Sequence, residues 1–369
     1  MRIEHIRFRM RSIEDISSDA EFIVNSSQQP VDPSLISFRG DLPLNFRNRI
    51  SSSDQLRTLL LQPKISPILL IDLSFNPIGN AGLVEITRNF PQLKVLKLRS
   101  CEVTLDEENL LHSLLPLKSS LELLDLSRNP LGLNGGFVFA KLVYQCIAIR
   151  SLDISDCDLT FDSLVAILFA LSDTFNPPLE HLFLSNSPRC PELPYHISRL
   201  IFACKRLQTL DLSRSGLTDE GIHEIVQALK YGSTMRTVNL AGNKISCFGI
   251  VALSQWLRVT STFRSLNLSS NGFGSRGDRI GAAALAETLG SLTDLDVSKN
   301  ALSGDGLVDL LIAGLESKEM KNLKIWANDW SEETRQKALG IINARPGVCD
   351  IEIQKVDDGT AHAVRLVSG

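Results

Sequence analysis

Along most of the chain, apolar and polar positions recur in one fixed order. The pattern is L-x-x-L-x-L-x-x-N/C-x-L, met first as Ile68, Ile71, Leu73, Asn76 and Ile78. It returns as Leu93, Leu96, Leu98, Cys101, Val103, then as Leu121, Leu124, Leu126, Asn129, Leu131, and as Ile149, Leu152, Ile154, Cys157, Leu159. A weaker fifth copy runs Leu179, Leu182, Leu184, Ser187, and a sixth Leu207, Leu210, Leu212, Ser215, Leu217. Four more span Met235–Ile245, Phe263–Phe273, Leu292–Leu302 and Met320–Trp330. The copies begin at 68, 93, 121, 149, 179, 207, 235, 263, 292 and 320, so the commonest spacing is 28 residues. A period held that steadily signals stacked structural repeats.

Each position has a physical meaning. The two-residue period of a strand turns Leu96 and Leu98 inward and Val95, Lys97 and Arg99 outward. The motif Asn turns the chain out of the strand, and its amide is expected to bond backbone groups of neighbouring repeats. Cys101 and Cys157 do the same more weakly. Six residues later six repeats carry a glycine, namely Gly82, Gly135, Gly221, Gly249, Gly277 and Gly306. Helical spacing then takes over, as in Gly221, Ile222, Ile225, Val226 and Leu229. Every unit is therefore predicted to be strand, turn, helix, and the units must stack to bury their apolar faces.

These motifs resemble the leucine-rich repeat family, specifically its ribonuclease-inhibitor-like subtype with 28-residue repeats, over residues 68 to 354. The resemblance implies an α/β horseshoe solenoid, with a parallel β-sheet on the concave face and helices on the convex face. It also implies a protein-interaction scaffold, as in ribonuclease inhibitor, Ran GTPase-activating proteins and many cytoskeletal and axonemal proteins.

The chain divides into a basic N-terminal arm and cap (1–67), ten repeats (68–347) and a C-terminal strand and capping hairpin (348–369). Ile6–Arg11 alternates apolar and basic residues and predicts an edge strand, and Ser12–Val24 a short amphipathic helix. Residues 25–50 are predicted to be loop. Ser51-Ser52-Ser53-Asp54 before Leu56, Leu59 and Leu60 predicts a capped helix start. Ser331-Glu332-Glu333 opens a last helix that Pro346 ends. Ile351–Val356 and Thr360–Val367 flank Asp357-Asp358-Gly359, which predicts a hairpin closing the last sheet edge. The strands from 71–73 through 351–353 are expected to form one continuous parallel sheet. In the fifth repeat Leu193 replaces the glycine, and Pro188, Pro191 and Pro194 are expected to interrupt the segment after the strand.

Composition narrows the function. With 369 residues, 43% hydrophobic and 22% charged, and a net charge of −4, the chain has material for a large core and no basic balance for nucleic acid. It has no apolar run long enough to span a membrane, and its charged start is unlike a secretory signal. Seven cysteines without a CxxC pair fit a reducing compartment. The expectation is a cytoplasmic, non-enzymatic protein whose partners are proteins. Nucleic acid, membrane, small-molecule substrate, cofactor and metal are not expected, and a cytoskeletal or ciliary assembly is one setting.

Three motifs invite chemistry. Gly272-Phe273-Gly274-Ser275-Arg276-Gly277 matches G-x-G-x-x-G with Asp296 downstream, but the repeat register accounts for each residue without a nucleotide. Arg276-Gly277-Asp278 and the sequons at Asn25 and Asn267 are expected to have no use, because the charged start is unlike a secretory signal. Cys190 and His196, in a loop beside His181 on a strand, form a conceivable nucleophile pair that lacks an orienting third group.

The concave row, one residue per strand, reads Asp72, Lys97, Asp125, Asp153, Phe183, Asp211, Asn239, Asn267, Asp296, Lys324, Glu352. The acidic members are read first as repeat consensus serving strand and turn chemistry, and second as a surface for a basic partner. Departures from the consensus carry more information. Lys97, Arg99 and Arg128 form a basic island, and Phe183 and Trp326 are expected to be exposed aromatics. Trp326 alternatively packs against the C-terminal cap. The candidate protein-binding residues are Lys97, Arg99, Arg128, Phe183, Asp211, Arg214 and Trp326. The alternative function is a GTPase-activating protein similar to the Ran-directed family, for which Arg99, Arg128 and Arg214 are the candidate arginines. Against that alternative, Asp357-Asp358 is the one acidic pair in residues 356–369, whereas a long acidic tail is typical of that family.

Overall fold

Each strand of a repeat is three residues long, because only the L-x-L core of each motif alternates before the next residue turns the chain away. A computed structural model of the protein describes residues 44–60, 68–106, 109–173, 178–231, 234–274, 279–342, 347–355 and 361–365. The strand expected at Ile6–Arg11, the helix at Ser12–Val24, the Asn25 sequon, Arg276-Gly277-Asp278, the hairpin turn Asp357–Gly359 and the stop at Pro346 lie outside the described residues.

Eleven parallel strands form one sheet in strict chain order. They are β1 (Leu44–Asn45), β2 (Leu70–Asp72), β3 (Val95–Lys97), β4 (Leu123–Asp125), β5 (Ser151–Asp153) and β6 (His181–Phe183). Then come β7 (Thr209–Asp211), β8 (Thr237–Asn239), β9 (Ser265–Asn267), β10 (Asp294–Asp296) and β11 (Asn322–Lys324). Their middle residues share one register, from Ile71 beside Leu96 to Leu295 beside Leu323, and all are buried.

The described helices are α1 (Ser53–Leu60), α2 (Gly79–Asn89), α3 (Asn109–Leu114), α4 (Gly132–Gln145), α5 (Phe161–Ser172) and α6 (Leu193–Ala203). They continue with α7 (Asp219–Lys230), α8 (Cys247–Leu257), α9 (Ile280–Ala286), α10 (Gly304–Glu316) and α11 (Glu332–Ile342). None is long and apolar enough to cross a membrane. Parallel strands stack about 4.8 Å apart while packed helices need about 8–10 Å, so the helical layer is the longer one and the solenoid curves with the sheet inside. One continuous apolar core runs between the layers from Phe46 to Cys349.

Gly135, Gly221, Gly249 and Gly306 mark where a helix start touches the repeat before it, whereas Gly82 is crowded by Ile78 of its own repeat. A Cβ on Gly135 would lie 1.9 Å from the Thr104 carbonyl oxygen, and one on Gly221 would lie 2.7 Å from Pro194 Cγ. Pro194 therefore does not interrupt the fifth repeat. It occupies the first turn of α6, where the missing N–H costs nothing. The predicted cap of α1 is present, with the Gln55 N–H donating to Ser52 Oγ (3.2 Å) and the Ser51 N–H to Gln55 Oε1 (2.7 Å).

Two expectations are corrected. The segment predicted to be loop up to residue 50 contains β1, which pairs with β2 at Leu44↔Ile71. Phe46 and Ile50 are buried there, and Asn76 accepts from the Arg49 and Ile50 N–H groups (2.7 and 2.6 Å). Arg49 stands where other copies carry Asn, which hides the copy from pattern matching.

At the other end, β12 (Ile351–Lys355) does not extend the parallel sheet. The chain makes a single bridge, Leu323↔Cys349, in which the Leu323 N–H donates to the Val348 carbonyl (2.8 Å). It then diverges, and β12 pairs antiparallel with β13 (Ala361–Arg365), from Ile351↔Arg365 to Lys355↔Ala361. The hairpin thus forms as expected, and residues 348–350, not β12, lie against the sheet edge.

Candidate functional site: the sheet face and its rim

The acidic row on the sheet face has a local duty. Asp72, Asp125, Asp153, Asp211 and Asp296 each accept, through Oδ1, the N–H of the serine two residues on, at 2.8–3.0 Å. Asn239 and Asn267 do the same for Ala241 and Ser269 (3.1 and 2.9 Å). These side chains hold the chain as it leaves the strand, an Asx-type turn. At Asp125, Asp211 and Asp296 the serine hydroxyl donates as well (2.6–2.7 Å). The consensus reading therefore accounts for one oxygen of each carboxylate.

Behind that row runs the ladder. The Asn129 amide accepts the N–H groups of Cys101 and Val103 (2.9 and 3.0 Å) and donates to the carbonyls of Leu98 and Leu126 (both 2.7 Å). Asn243 clamps Ser215 and Leu217 in the same manner. Cys101 and Cys157 donate a thiol to the Leu73 and Leu126 carbonyls (both 3.1 Å). Burial pushes Cys101 up to about 11 and Cys157 up to about 12, so both remain thiols.

Among the candidate residues, Lys97 and Arg99 lie in an acidic setting. Lys97 is in register with Asp72 on one side and Asp125 on the other. Arg99 takes the place that Ser74, Ser127 and Ser213 hold in other repeats. It is half-buried, and its Nε is enclosed without a hydrogen-bond partner among the described residues. Arg128 is exposed on the rim and faces Asp156 at 3.8 Å. The basic island is thus interleaved with carboxylates, because consensus Asp fills the intervening positions. Next to it, Asp153 is pushed up to about 6 by burial, by the charge of Asp125 and against the pull of the Ser155 bonds and Arg99.

Phe183 is half-buried between Asp153 and Asp211 in the sheet register, less exposed than expected, because neighbouring strands leave little room between rows. With no carboxylate at 183, the Ser185 N–H turns to Ser155 Oγ (3.1 Å). Arg214 is exposed on the rim and its stem crosses Gly242, whose Cβ would lie 3.1 Å from Arg214 Cγ. Trp326 is likewise half-buried and packs on the core. It sits eight strands from Lys97, roughly 38 Å at about 4.8 Å per strand. The structure therefore places Lys97 and Arg99 at β3, sets Phe183 and Asp211 on the adjoining strands β6 and β7 three strands further on, puts Arg128 and Arg214 on the rim, and leaves Trp326 apart.

One rim feature is not legible in the sequence. The residue before each ladder position is left-handed in every repeat, as in Phe75 (φ 64°), Arg128 (58°), Arg214 (57°) and Lys299 (56°). Only Gly242, Asn186 and Asp156 in that row are of types enriched in this region. The other residues hide the signal.

The remaining motifs serve stacking. His196 lies in α6, not in a loop, against the rings of Tyr195 (5.3 Å) and Phe161 (6.0 Å). Cys190 donates to Glu192 (2.5 Å), and His181 Nδ1 meets Thr209 Oγ1 (2.9 Å), so no Cys–His pair forms. Burial and the Glu192 bond both raise the Cys190 thiol, opposite to an activated nucleophile. Phe273 is buried, the Gly272 N–H donates to Asn300 (2.8 Å), and a Cβ on Gly274 would lie 2.6 Å from the Ala301 carbonyl oxygen.

A leucine-rich repeat family model matches residues 68–86, 118–140, 203–226, 261–277 and 291–311. The ribonuclease inhibitor of Sus scrofa is 25% identical over 289 residues, covering 75% of this chain. The chain spans 50% of that relative's length. Among solved structures, the leucine-rich repeat-containing protein LegL7 of Legionella pneumophila is 17% identical, covering 83% of this chain and 88% of its own, with a TM-score of 0.45. Leiomodin-1 actin-binding site 2 is 18% identical over 43% of this chain and 91% of its own, with a TM-score of 0.35. With the repeat motif, the single parallel sheet and the asparagine ladder in place, the chain is an α/β leucine-rich repeat solenoid similar to ribonuclease inhibitor.

Proposed function

We propose that the protein is a non-enzymatic scaffold that binds partner proteins on the concave sheet face and its rim. The observation that carries this is the break in the turn-holding row. Asp and Asn at that row are committed to the turn, whereas Lys97, Phe183 and Lys324 hold no turn and still project from the same face. Arg99 and Trp326 likewise replace a serine. A repeat protein gains nothing in stability by giving up these turn bonds, and Arg and aromatic residues are the types that anchor interfaces. Asp153 flanks Phe183 with one carboxylate oxygen left over from the turn, which suits a basic group of the partner, whereas the second oxygen of Asp211 accepts from the Asn239 amide (2.9 Å).

The test is a pull-down from cell lysate with the full chain, comparing it with a Lys97→Glu, Arg99→Glu, Trp326→Ala variant. Proteins retained by the parent and lost by the folded variant support the concave face. The same set retained by both contradicts it. A single-turnover GTPase assay with and without the protein separates the alternative, since an activating protein would accelerate hydrolysis and a scaffold would not.

A further inference from the structure

The residues that precede each strand form a continuous row along the edge where helices return to the sheet. The N–H of each donates to the carbonyl of the one before, as in Arg150 to Glu122, Arg236 to Gln208 and Arg264 to Arg236, each at 2.8 Å. In the early repeats this row alternates in sign. Lys94 pairs with Glu122 (2.8 Å) and Arg150 with Glu180 (2.6 Å). From β7 onward the alternation stops, and the row reads Gln208, Arg236, Arg264, Thr293, Lys321. Arg236 and Arg264 stand side by side, both exposed and neither with a carboxylate partner among the described residues. Arg264 is satisfied by carbonyls of Ser261 and Phe263 (2.8 and 2.9 Å).

Adjacent like charges one strand apart disfavour the fold, so this arrangement calls for a reason outside it. Around the pair, Lys205, Arg206 and Lys230 are exposed as well, and Arg258 is the one cation matched, by Glu287. In residues 199–206, 230–236, 258–264 and 287–293, Glu287 is the only acid. Helix C-termini favour cations through their dipoles, which covers Lys230 and Arg258. It does not cover Arg236 and Arg264, which lie beyond the helices. Nor does it cover Tyr231 and Val259, large side chains left 69% and 74% exposed on the same edge. Tyr231 also meets the exposed ring of Phe202 at 5.7 Å, with Lys205 over that ring at 5.3 Å.

We propose that this edge, centred on Arg236, Arg264, Tyr231 and Val259, docks an acidic protein segment carrying apolar side chains. The apolar groups cover Tyr231, Val259 and Phe202, while its carboxylates separate the paired arginines. The proposal rests on the scaffold function above and adds to it a rim surface and the chemistry of its occupant.

The test measures fluorescence anisotropy with the full chain and a labelled 16-residue peptide alternating Glu or Asp with Leu and Phe. Controls are the same peptide with Lys for each acid, vesicles of phosphatidylcholine with phosphatidylserine, and a 20-nucleotide oligothymidine. The expected result is binding of the acidic peptide alone, weakened on the order of tenfold by Arg236→Glu with Arg264→Glu and by Tyr231→Ser with Val259→Ser. Where the charge reversal fails to fold, Arg236→Gln with Arg264→Gln replaces it. No binding of the acidic peptide, equal binding by both variants, or tighter binding of vesicles or oligonucleotide overturns the proposal. If concave-face variants lose their pull-down partners while the edge binds no acidic peptide, this surface falls and the scaffold stands.

Discussion

Asp153 lies beside Asp125 in the register of the parallel sheet, and burial together with that neighbouring charge pushes its carboxyl up to about 6. The folded chain thus keeps a proton that the unfolded chain releases near pH 4. Between about pH 4 and 6 the fold binds more protons than the unfolded chain, so this residue's contribution falls as pH rises through that window. Asp153→Asn keeps the Oδ1 that holds the Ser155 N–H and removes the charge. It should stabilise the protein at pH 8 by about 1 kcal/mol and leave it nearly unchanged at pH 4, as read from thermal unfolding at both values. Equal effects at the two pH values would contradict the assignment.

The ladder predicts unequal costs for similar positions. Asn129→Ala strands two buried N–H groups and two carbonyls and should destabilise by about 3 kcal/mol or more. Cys101→Ala removes one weak thiol donor and should cost about 1 kcal/mol. Urea unfolding of the two variants checks the ordering. Comparable losses would mean that the amide does not clamp the repeats.

Glycine substitutions should divide by contact. Gly135→Ala drives a methyl into the Thr104 carbonyl and should shift the fold or abolish it. Gly340→Ala meets nothing within 4 Å in α11 and should be neutral or stabilising by about 0.5–1 kcal/mol. Melting temperatures of the two proteins decide this.

Thiol chemistry should track burial. Cys101, Cys146, Cys157 and Cys204 are buried and raised to about 11–12. Among the described cysteines Cys190 is the accessible one. Iodoacetamide at pH 8 should therefore modify Cys190 first, and the six buried cysteines only when urea unfolds the chain, as monitored by peptide mass spectrometry.

Legibility in the sequence tracks periodicity. The L-x-L spacing, the ladder Asn and the glycine six residues on are sufficient for the sheet, the clamp and the helices, because the spacing returns in every repeat and the Asn and glycine in most of them. β1 is hidden because Arg49 replaces its ladder residue, while Asn76 from the next repeat clamps it as the other ladder residues do. The parallel continuation at β12 fails because Val348, Ile351 and Ile353 keep the spacing while the chain leaves the sheet after one bridge. At the site, residue types are legible but exposure is not. Phe183 and Trp326 are half-covered by neighbours from other repeats, and the partnering of Arg128 with Asp156 depends on the next repeat's turn. The unpaired Arg236–Arg264 row emerges only once the strand register aligns residues 28 apart.

The most direct test of the scaffold is hydroxyl-radical footprinting of the protein alone and with a partner recovered in the pull-down. Oxidation of Phe183 and Trp326 on the sheet side should fall severalfold in the complex, while Phe169 and Tyr195 on the helical side stay unchanged. Protection confined to Phe169 and Tyr195, with Phe183 and Trp326 oxidised as before, would contradict binding on the concave face.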